Sequence, residues 1–249
     1  MPVLRTDSIG DVAVIRLDRP EKRNALTVAM LGSLRQALDN AMSARAIVLS
    51  GVGDVFCSGF DLTACRDDET VLGKLLEGLA SVCVTMREHP SPVVVSAHGA
   101  AVAGGCAMVA AADLAVTSAG AKLGYPVVRL GFSPAVSAPM LTVTAGNGNA
   151  RGRLLDPGLV DGVEAARIGL VHECAADAAA CEARAIELAT LLAGKPRHAM
   201  AFTKRWLNEV DGSVDAERLR AGLGASMGLV GSAEQRELLP QAWAGRSGR

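Results

Sequence analysis

The architecture of this chain is built around the segment His98-Gly99-Ala100-Ala101-Val102-Ala103-Gly104-Gly105-Cys106-Ala107-Met108. The apolar run before it, Pro92-Val93-Val94-Val95-Ser96-Ala97, is typical of a buried strand. Residues 106–113, which are small and apolar, predict the start of a buried helix. A strand, a glycine turn and a helix leave backbone N–H groups unpaired at the positive end of the helix dipole. Those groups can hold an anion or a developing oxyanion, or the glycines can serve only a tight turn.

A second segment has the same organisation. Val55-Phe56-Cys57-Ser58-Gly59-Phe60-Asp61-Leu62 follows another predicted buried strand, Ala46-Ile47-Val48-Leu49-Ser50-Gly51. Two strands that each end in a glycine turn can aim one N–H apiece at a common point. Two convergent N–H donors form an oxyanion hole, which stabilises the negative charge that develops on a carbonyl oxygen during acyl chemistry.

These motifs resemble those of a known family. Phe-Cys-Ser-Gly-Phe-Asp-Leu at 56–62 resembles the Phe-Cys-Ala-Gly-x-Asp-Leu motif of the enoyl-CoA hydratase/isomerase (crotonase) superfamily. Residues 98–113 resemble its Gly-x-Ala-x-Gly-Gly-Gly-x-Glu segment, and 165–171 its Ala-x-x-x-Gly-Leu-Val element. Leu17-Asp18-Arg19-Pro20 with Arg23-Asn24-Ala25-Leu26 resembles its N-terminal signature. The motifs follow the family's order across nearly the whole chain.

The resemblance implies an α/β fold, a crotonase-like spiral of ββα units with a helical C-terminal region. It implies a core with an acyl-CoA site over residues 1–195 and a helical oligomerisation region over 196–249. It also implies a homotrimer or hexamer in which the C-terminal helices help to close neighbouring sites. From the residues alone, the order of helices and strands predicts only a generic parallel α/β sheet.

The resemblance further implies an oxyanion hole made by the backbone N–H groups of Phe60 and Gly104. This pair would polarise the carbonyl of an acyl-CoA thioester. Coenzyme A enters as part of the substrate, and no separate cofactor is implied. The CoA moiety is expected to contact Lys22, Arg23, Ala25, Ser58, Asp61 and Leu62.

Two of these assignments leave structural alternatives open. Lys22 and Arg23 would supply positive charge to the CoA phosphates, but their charged loop is also typical of a solvated turn. Asp61 is more typical of a cap on the following turn or helix.

The proton-transfer groups of the family's hydratases are missing. Hydration of an enoyl thioester needs a base to activate water and an acid to protonate the α-carbon. The resemblance places the family's two glutamates at Ala107 and Val127, and the aspartate of some relatives at Ala135. Methyl and isopropyl groups cannot move a proton. The sequence therefore predicts the anion-stabilising half of the machinery without the proton-transfer half.

Several residues near these positions are candidate replacements. Cys106 could be a nucleophile at a helix N-terminus, although a packed thiol is the commoner outcome. His98 is more typical of a hydrogen-bonded core histidine than of a general base. The remaining candidates are hydroxyls near the glycine turns and carboxylates at a helix start: Tyr125, Ser133, Ser137, Asp67, Asp68 and Glu69.

Three functions remain open from the sequence. The first is an enzyme that stabilises a thioester enolate, as the resemblance to enoyl-CoA hydratases implies. The second is a non-catalytic acyl-CoA-binding protein. The third is an isomerase or decarboxylase that uses the same oxyanion hole with fewer acid/base groups. The missing glutamates favour the second and third.

Composition sets the remaining limits. The 249 residues carry a net charge of -1, which gives no reason to expect a nucleic acid or a membrane as partner. Six cysteines without C-x-x-C spacing predict reduced, mostly buried thiols in a cytoplasmic protein, and no zinc site. No signal peptide or transmembrane helix is predicted.

Overall fold

The computed structural model describes residues 3–240. Its main sheet has six strands in the order β1-β2-β3-β4-β6-β9. The first two strands pair antiparallel, and every other neighbouring pair is parallel. The strands are β1 (Leu4–Ile9), β2 (Val12–Leu17), β3 (Ala46–Gly51), β4 (Val93–Ala97), β6 (Leu114–Ser118) and β9 (Glu173–Ala175).

A smaller sheet of three strands lies at the end of the main sheet. It consists of β5 (Ala100–Val102), β7 (Lys122–Gly124) and β8 (Val160–Asp161). Because β5 begins three residues after β4 ends, the chain passes from one sheet to the other through the turn at His98 and Gly99. Gly99 has φ +65°, and a Cβ there would lie within 2 Å of the Asp54 carbonyl oxygen, so only glycine fits this turn.

Nine helices surround the sheets within the described residues. They are α1 (Val28–Asn40), α2 (Thr70–Glu88), α3 (Gly104–Ala111), α4 (Ala138–Leu155), α5 (Gly162–Arg167), α6 (Ala178–Ala193), α7 (Arg197–Asp211), α8 (Ala216–Met227) and α9 (Ala233–Leu238). Short 3-10 helices cover Pro20–Lys22, Leu62–Arg66, Pro126–Leu130 and Pro134–Ser137. Thr27 caps α1, since its hydroxyl accepts from the Met30 N–H at 3.1 Å.

The central strands β3 and β4 are buried on both faces, whereas the edge strand β1 is mostly exposed. One face, with Ile15, Leu49 and Val95, joins the large core beneath α1, α2 and α3. The other, with Val14, Val48 and Val94, packs in a smaller core with Cys181 and other residues of α6. Burial on both faces explains why these strands are continuous apolar runs rather than alternating ones.

The sequence predictions hold for the longest elements and fail for the shortest. The predicted strands at β3 and β4 are confirmed, and the residues predicted to begin a buried helix lie in α3. The generic parallel sheet expected from the residues alone is wrong, because β1 is antiparallel and a second sheet is present. The predicted direct step from strand to glycine turn to helix is also wrong, because β5 intervenes.

Other sequence predictions concern burial and membrane segments. All six cysteines are free, and all but Cys174 are buried, as predicted. In the described part of the chain, no helix is long and apolar enough to cross a bilayer. The division at residue 195 stays a prediction, and residues 241–249 of its second region lie outside the described residues.

Candidate active site

The turn after Cys57 is held by the segment that follows Arg23. The Leu26 N–H donates to the Gly59 carbonyl at 2.8 Å, and the Asp61 N–H donates to the Leu26 carbonyl at 2.8 Å. The Ser58 N–H donates to the Arg23 carbonyl at 3.1 Å. These hydrogen bonds lie on either side of Phe60 and do not involve the Phe60 N–H.

The same turn packs against the segment that leads into α3. Cys57 exchanges backbone hydrogen bonds of 3.0 Å with Ala100 and Val102 of β5. A Cβ at Gly105 would lie 2.8 Å from the Cys57 carbonyl oxygen, and a Cβ at Gly59 would lie 3.2 Å from that of Val102. Glycine at these two positions therefore allows the two turns to touch.

Phe60 and Gly104 come together at this contact. A Cβ built on Gly104 would lie 3.3 Å from Cε1 of Phe60. Gly104 is the first residue of α3, so its N–H has no acceptor within the helix. Among residues 3–240, neither the Phe60 N–H nor the Gly104 N–H donates a hydrogen bond to a protein atom.

A strained alanine precedes this helix. Ala103 has φ +51° and ψ −108°, a conformation that residues other than glycine rarely adopt. Its N–H donates to the Gly124 carbonyl at 2.8 Å, and its carbonyl accepts from Ala107 at 2.9 Å. These bonds fix the direction in which α3 begins.

An apolar cavity of about 40 Å³ opens beside the two residues. None of the described residues that line it is Asp, Glu, His, Lys or Arg. The lining comes from α2, the two glycine turns, the 3-10 segments and α8: Phe60, Leu72, Leu76, Leu79, Ala103, Gly104, Tyr125, Val127, Phe132, Ser133, Pro134, Val136, Ser137 and Ser226.

The three positions predicted to lack carboxylates differ in location. Val127 lines the cavity directly. Ala107 is 3% exposed and lies one turn into α3, outside the cavity lining. Ala135 lines a neighbouring surface pocket instead. Of these positions, only Val127 faces the cavity that holds Phe60 and Gly104.

Cys106 and Tyr125 are buried together beside the cavity. Burial raises the pKa of the Cys106 thiol to about 12, so a thiolate nucleophile is not formed at neutral pH. Burial likewise raises the pKa of Tyr125 well above its usual value of 10, with Cys106 as an additional cause. Both groups are therefore protonated, and Cys106 is the packed thiol that the sequence favoured.

His98 and Asp61 have structural partners. The His98 ring nitrogen Nε2 lies 3.0 Å from the Gly53 carbonyl oxygen, and the ring is outside the cavity lining. Asp61 caps the 3-10 helix through the Thr63 N–H at 3.2 Å and pairs with Arg19 at 3.1 Å. Although burial opposes ionisation, the hydrogen bonds from Thr63 and Arg19 hold the pKa of Asp61 below its ordinary value. Arg19 is the partner that the sequence prediction did not identify.

The acidic residues at the start of α2 also have structural partners. Asp68 accepts from the Thr70 N–H at 2.8 Å, and Glu69 pairs with Arg236 of α9 at 2.9 Å. Hydrogen bonds from these partners lower the pKa of both carboxyls. In the described residues no group of three or more His, Cys, Asp and Glu side chains could hold a metal ion.

The residues predicted to contact CoA lie on two adjoining turns. Lys22 and Arg23 are exposed, whereas Ala25 is 4% exposed. The hydrogen bonds described above place this turn against Ser58 and Asp61, and Leu62 follows directly. The six residues are thus neighbours, which is compatible with one extended binding surface. Their contact with CoA stays a prediction.

Two glycine-supported turns, a helix N-terminus and an apolar cavity define a protein of the crotonase type. The family model described as enoyl-CoA hydratase/isomerase matches residues 8–235. A Thermus thermophilus protein named as an enoyl-CoA hydratase is 36% identical over 211 residues, which cover 82% of this chain and 83% of that protein. The chain therefore belongs to the enoyl-CoA hydratase/isomerase family.

Two further similarities extend this result. The cyclohexa-1,5-dienecarbonyl-CoA hydratase of Thauera aromatica is 33% identical over 179 residues, 70% of this chain and 68% of that one. The solved structure of an enoyl-CoA hydratase/isomerase from Mycobacterium paratuberculosis aligns with a TM-score of 0.85 at 26% identity, covering 97% of this chain and 99% of that one. The predicted crotonase fold is confirmed.

Proposed function

We propose that this chain binds an acyl-CoA thioester with its acyl group in the apolar cavity and its carbonyl oxygen between the N–H groups of Phe60 and Gly104. The observation that carries the proposal is that both N–H groups lack an acceptor within residues 3–240 and belong to residues that line the cavity. The Gly104 N–H also lies at the positive end of α3, which favours negative charge there. Two such donors would stabilise a thioester enolate.

Ordinary hydration of an enoyl-CoA is expected to be impaired in this protein. A positioned acid or base typically contributes about 10²- to 10⁴-fold to such a reaction. Ala107 and Val127 replace the two glutamates, and the described residues of the cavity lining offer no carboxylate or imidazole in their place. Polarisation of the carbonyl therefore remains while proton transfer is lost.

A non-catalytic acyl-CoA-binding protein is the second candidate, and the uncharged lining of the cavity favours it. An isomerase or decarboxylase would use the same oxyanion hole. Decarboxylation needs no base to form the enolate, since loss of CO₂ supplies the electron pair. The N–H groups of Phe60 and Gly104 serve all of these functions alike.

The CoA moiety is proposed to lie along the two turns that carry Lys22, Arg23, Ala25, Ser58, Asp61 and Leu62. Lys22 and Arg23 are exposed cations at this surface and would meet the phosphates. The Asp61–Arg19 pair fixes the turn between them and the cavity.

A homotrimer or hexamer is also proposed, in the cytoplasm. One face of α7 supports self-association, because Phe202, Trp206 and Val210 lie one helical turn apart and are 64–70% exposed. Leu207 beside them is 57% exposed. An apolar stripe of this kind is typical of a surface that a partner covers.

Calorimetric titration tests the proposed binding. Butanoyl-CoA is expected to bind more tightly than CoA alone, because only the thioester places an acyl group in the cavity. Lys22→Ala and Arg23→Ala are each expected to weaken both ligands, with Lys195→Ala as a control for the loss of one positive charge. Equal affinities for butanoyl-CoA and CoA would contradict the acyl site.

A further inference from the structure

Tyr125 is the only tyrosine of the chain, and its hydroxyl lacks a hydrogen bond of normal geometry. The side chain is 1% exposed and the residue lines the cavity. A buried hydroxyl without a partner is unfavourable relative to one that is solvated or bonded. The missing acid and base groups do not explain why the Tyr125 hydroxyl is buried without a partner.

The groups around Tyr125 do little to replace the hydrogen bond that its hydroxyl lacks. Its polar neighbours are the Cys106 thiol, which is a weak acceptor, and the Ser137 hydroxyl. Ser137 also lines the cavity, and its side chain does not cap α4. Tyr125 and Ser137 are thus neighbouring residues of the cavity lining, and in the described part of the chain the Tyr125 hydroxyl makes no hydrogen bond of normal geometry.

The other cavity hydroxyls already have structural roles. Ser226 donates to the Ser133 carbonyl at 2.9 Å and accepts from the Val136 N–H at 2.9 Å. Ser133 accepts from the Ala135 N–H at 3.2 Å, which caps the following 3-10 helix. Tyr125 is the cavity group whose donor is unused and fully buried.

The cavity also limits the ligand by charge and by size. Since none of the described lining residues is charged, an acyl carboxylate or ammonium would be buried there without a counter-ion. A water-sized group occupies about 10–15 Å³ of such space. The volume of about 40 Å³ thus holds three or four non-hydrogen atoms.

We propose that the Tyr125 hydroxyl, positioned beside Ser137, selects a short acyl group that carries a neutral oxygen, either a hydroxyl or a carbonyl. Tyr125 donates to that oxygen, and the apolar wall formed by α2 contacts the rest of the acyl chain. This specificity rests on the proposed binding of acyl-CoA thioesters at the same cavity.

Calorimetry with three ligands tests the role of Tyr125. Butanoyl-CoA, 3-hydroxybutanoyl-CoA and 3-oxobutanoyl-CoA are titrated into the wild type, Tyr125→Phe and Ser50→Ala. Tyr125→Phe is expected to lose roughly 3- to 10-fold more affinity for at least one oxygenated ligand than for butanoyl-CoA. Ser50→Ala removes another buried, unpartnered hydroxyl, on β3 and outside the cavity, and is expected to keep the wild-type affinity ratios.

A second measurement does not depend on a variant. Tyrosine labelled with ¹³C at Cζ gives one protein signal, because the chain has one tyrosine. An oxygenated ligand is expected to shift that signal further than butanoyl-CoA does. Equal shifts, or an equal loss of affinity for all three ligands in Tyr125→Phe, would overturn the role of Tyr125 while leaving acyl-CoA binding intact. No binding of any ligand to the wild type would overturn the proposed function and this specificity together.

Discussion

Gly104 lies directly against Phe60. A Cβ at position 104 would stand 3.3 Å from Cε1 of Phe60, and 3.0 Å from Cδ1 of Leu26. The start of α3 can approach the turn at Phe60 because residue 104 has no side chain. The proposed convergence of the two N–H groups on one carbonyl oxygen depends on this close approach.

Two replacements of Gly104 distinguish the effect of losing its N–H group from the effect of adding a side chain. Gly104→Ala adds a Cβ and keeps the N–H, whereas Gly104→Pro adds a similar Cβ and removes it. Proline is tolerated at the first position of a helix, where the N–H has no helical acceptor. Infrared spectra of bound butanoyl-CoA labelled with ¹³C at the thioester carbonyl are expected to show a lowered stretching frequency in the wild type. The alanine variant should retain the lowering, and the proline variant should lose much of it.

The two variants also provide their own control. Both variants place a Cβ beside Leu26 and Phe60, but proline also adds ring atoms and restricts the backbone of Ala103, so a difference is assigned to the N–H group when both variants bind butanoyl-CoA with the same affinity. Circular dichroism checks that both are folded. A full frequency shift in Gly104→Pro would show that this N–H does not contact the carbonyl.

Ala103→Gly is expected to stabilise the fold. An alanine at φ +51° and ψ −108° carries strain of about 1–3 kcal/mol. Glycine relieves it at an entropic cost of about 0.5–1 kcal/mol, which leaves a net gain of about 1 kcal/mol. Urea denaturation measures the change, with the buried strand residue Ala101→Gly as the control that should destabilise. An unfolding free energy below that of the wild type in Ala103→Gly would contradict the strain.

Lys204→Met is expected to destabilise the protein by about 3–5 kcal/mol. The Lys204 ammonium donates to the Asp113 carboxylate at 2.6 Å and to the Met86 and Ser91 carbonyls at 2.8 and 3.2 Å. Its loss leaves a partly buried carboxylate without its cation. Arg205→Met next to it breaks an exposed pair and should change stability by less than about 1 kcal/mol. Similar unfolding midpoints for the two variants would show that the buried pair does not anchor α7.

Stability should fall as the pH drops below 6.5 because of His89. Burial lowers the pKa of His89 beneath its ordinary value of 6.5, with a smaller effect of Lys204 in the same direction. Its Nδ1 accepts from the Ser91 N–H at 3.1 Å, and its Nε2 is buried without a partner, so the folded state favours the neutral ring. The unfolded chain then binds the extra proton, and stability is lost by up to about 1.4 kcal/mol per pH unit.

Denaturation of the wild type and His89→Gln at pH 7.5 and 5.5 measures this effect. The variant should lose less stability over that interval, since its side chain does not titrate. His172, whose pKa is also lowered by burial, is present in both proteins and affects both alike. The same pH dependence in both proteins would assign it to other groups.

The elements that the sequence predicted are those with long repeating patterns. The strands β3 and β4 are continuous apolar runs that can be identified from the residues alone. β5 was missed because Ala100-Ala101-Val102 is only three residues long and lies among glycines. The backbone conformation at the start of α3 was not predicted, because the positive φ is adopted by Ala103 rather than by a glycine.

Only those parts of the site that are formed by residues close together in the sequence were predictable. The motifs around Phe60 and Gly104 identified the two turns, and the hydrogen bonds now place these turns side by side. The cavity could not be predicted, because Ser226 reaches it from α8, about half the chain away. The absence of a partner for Tyr125 is likewise a property of the packing, which no local pattern records.

The rate of crotonyl-CoA hydration, followed by loss of the conjugated enoyl thioester absorbance, tests most directly whether carbonyl polarisation persists without proton transfer. We expect turnover at least about a thousandfold below that of an ordinary hydratase, because each missing acid or base typically contributes about 10²- to 10⁴-fold. Hydration at an ordinary hydratase rate would contradict the account, since Ala107 and Val127 could then not be the positions of essential proton-transfer groups.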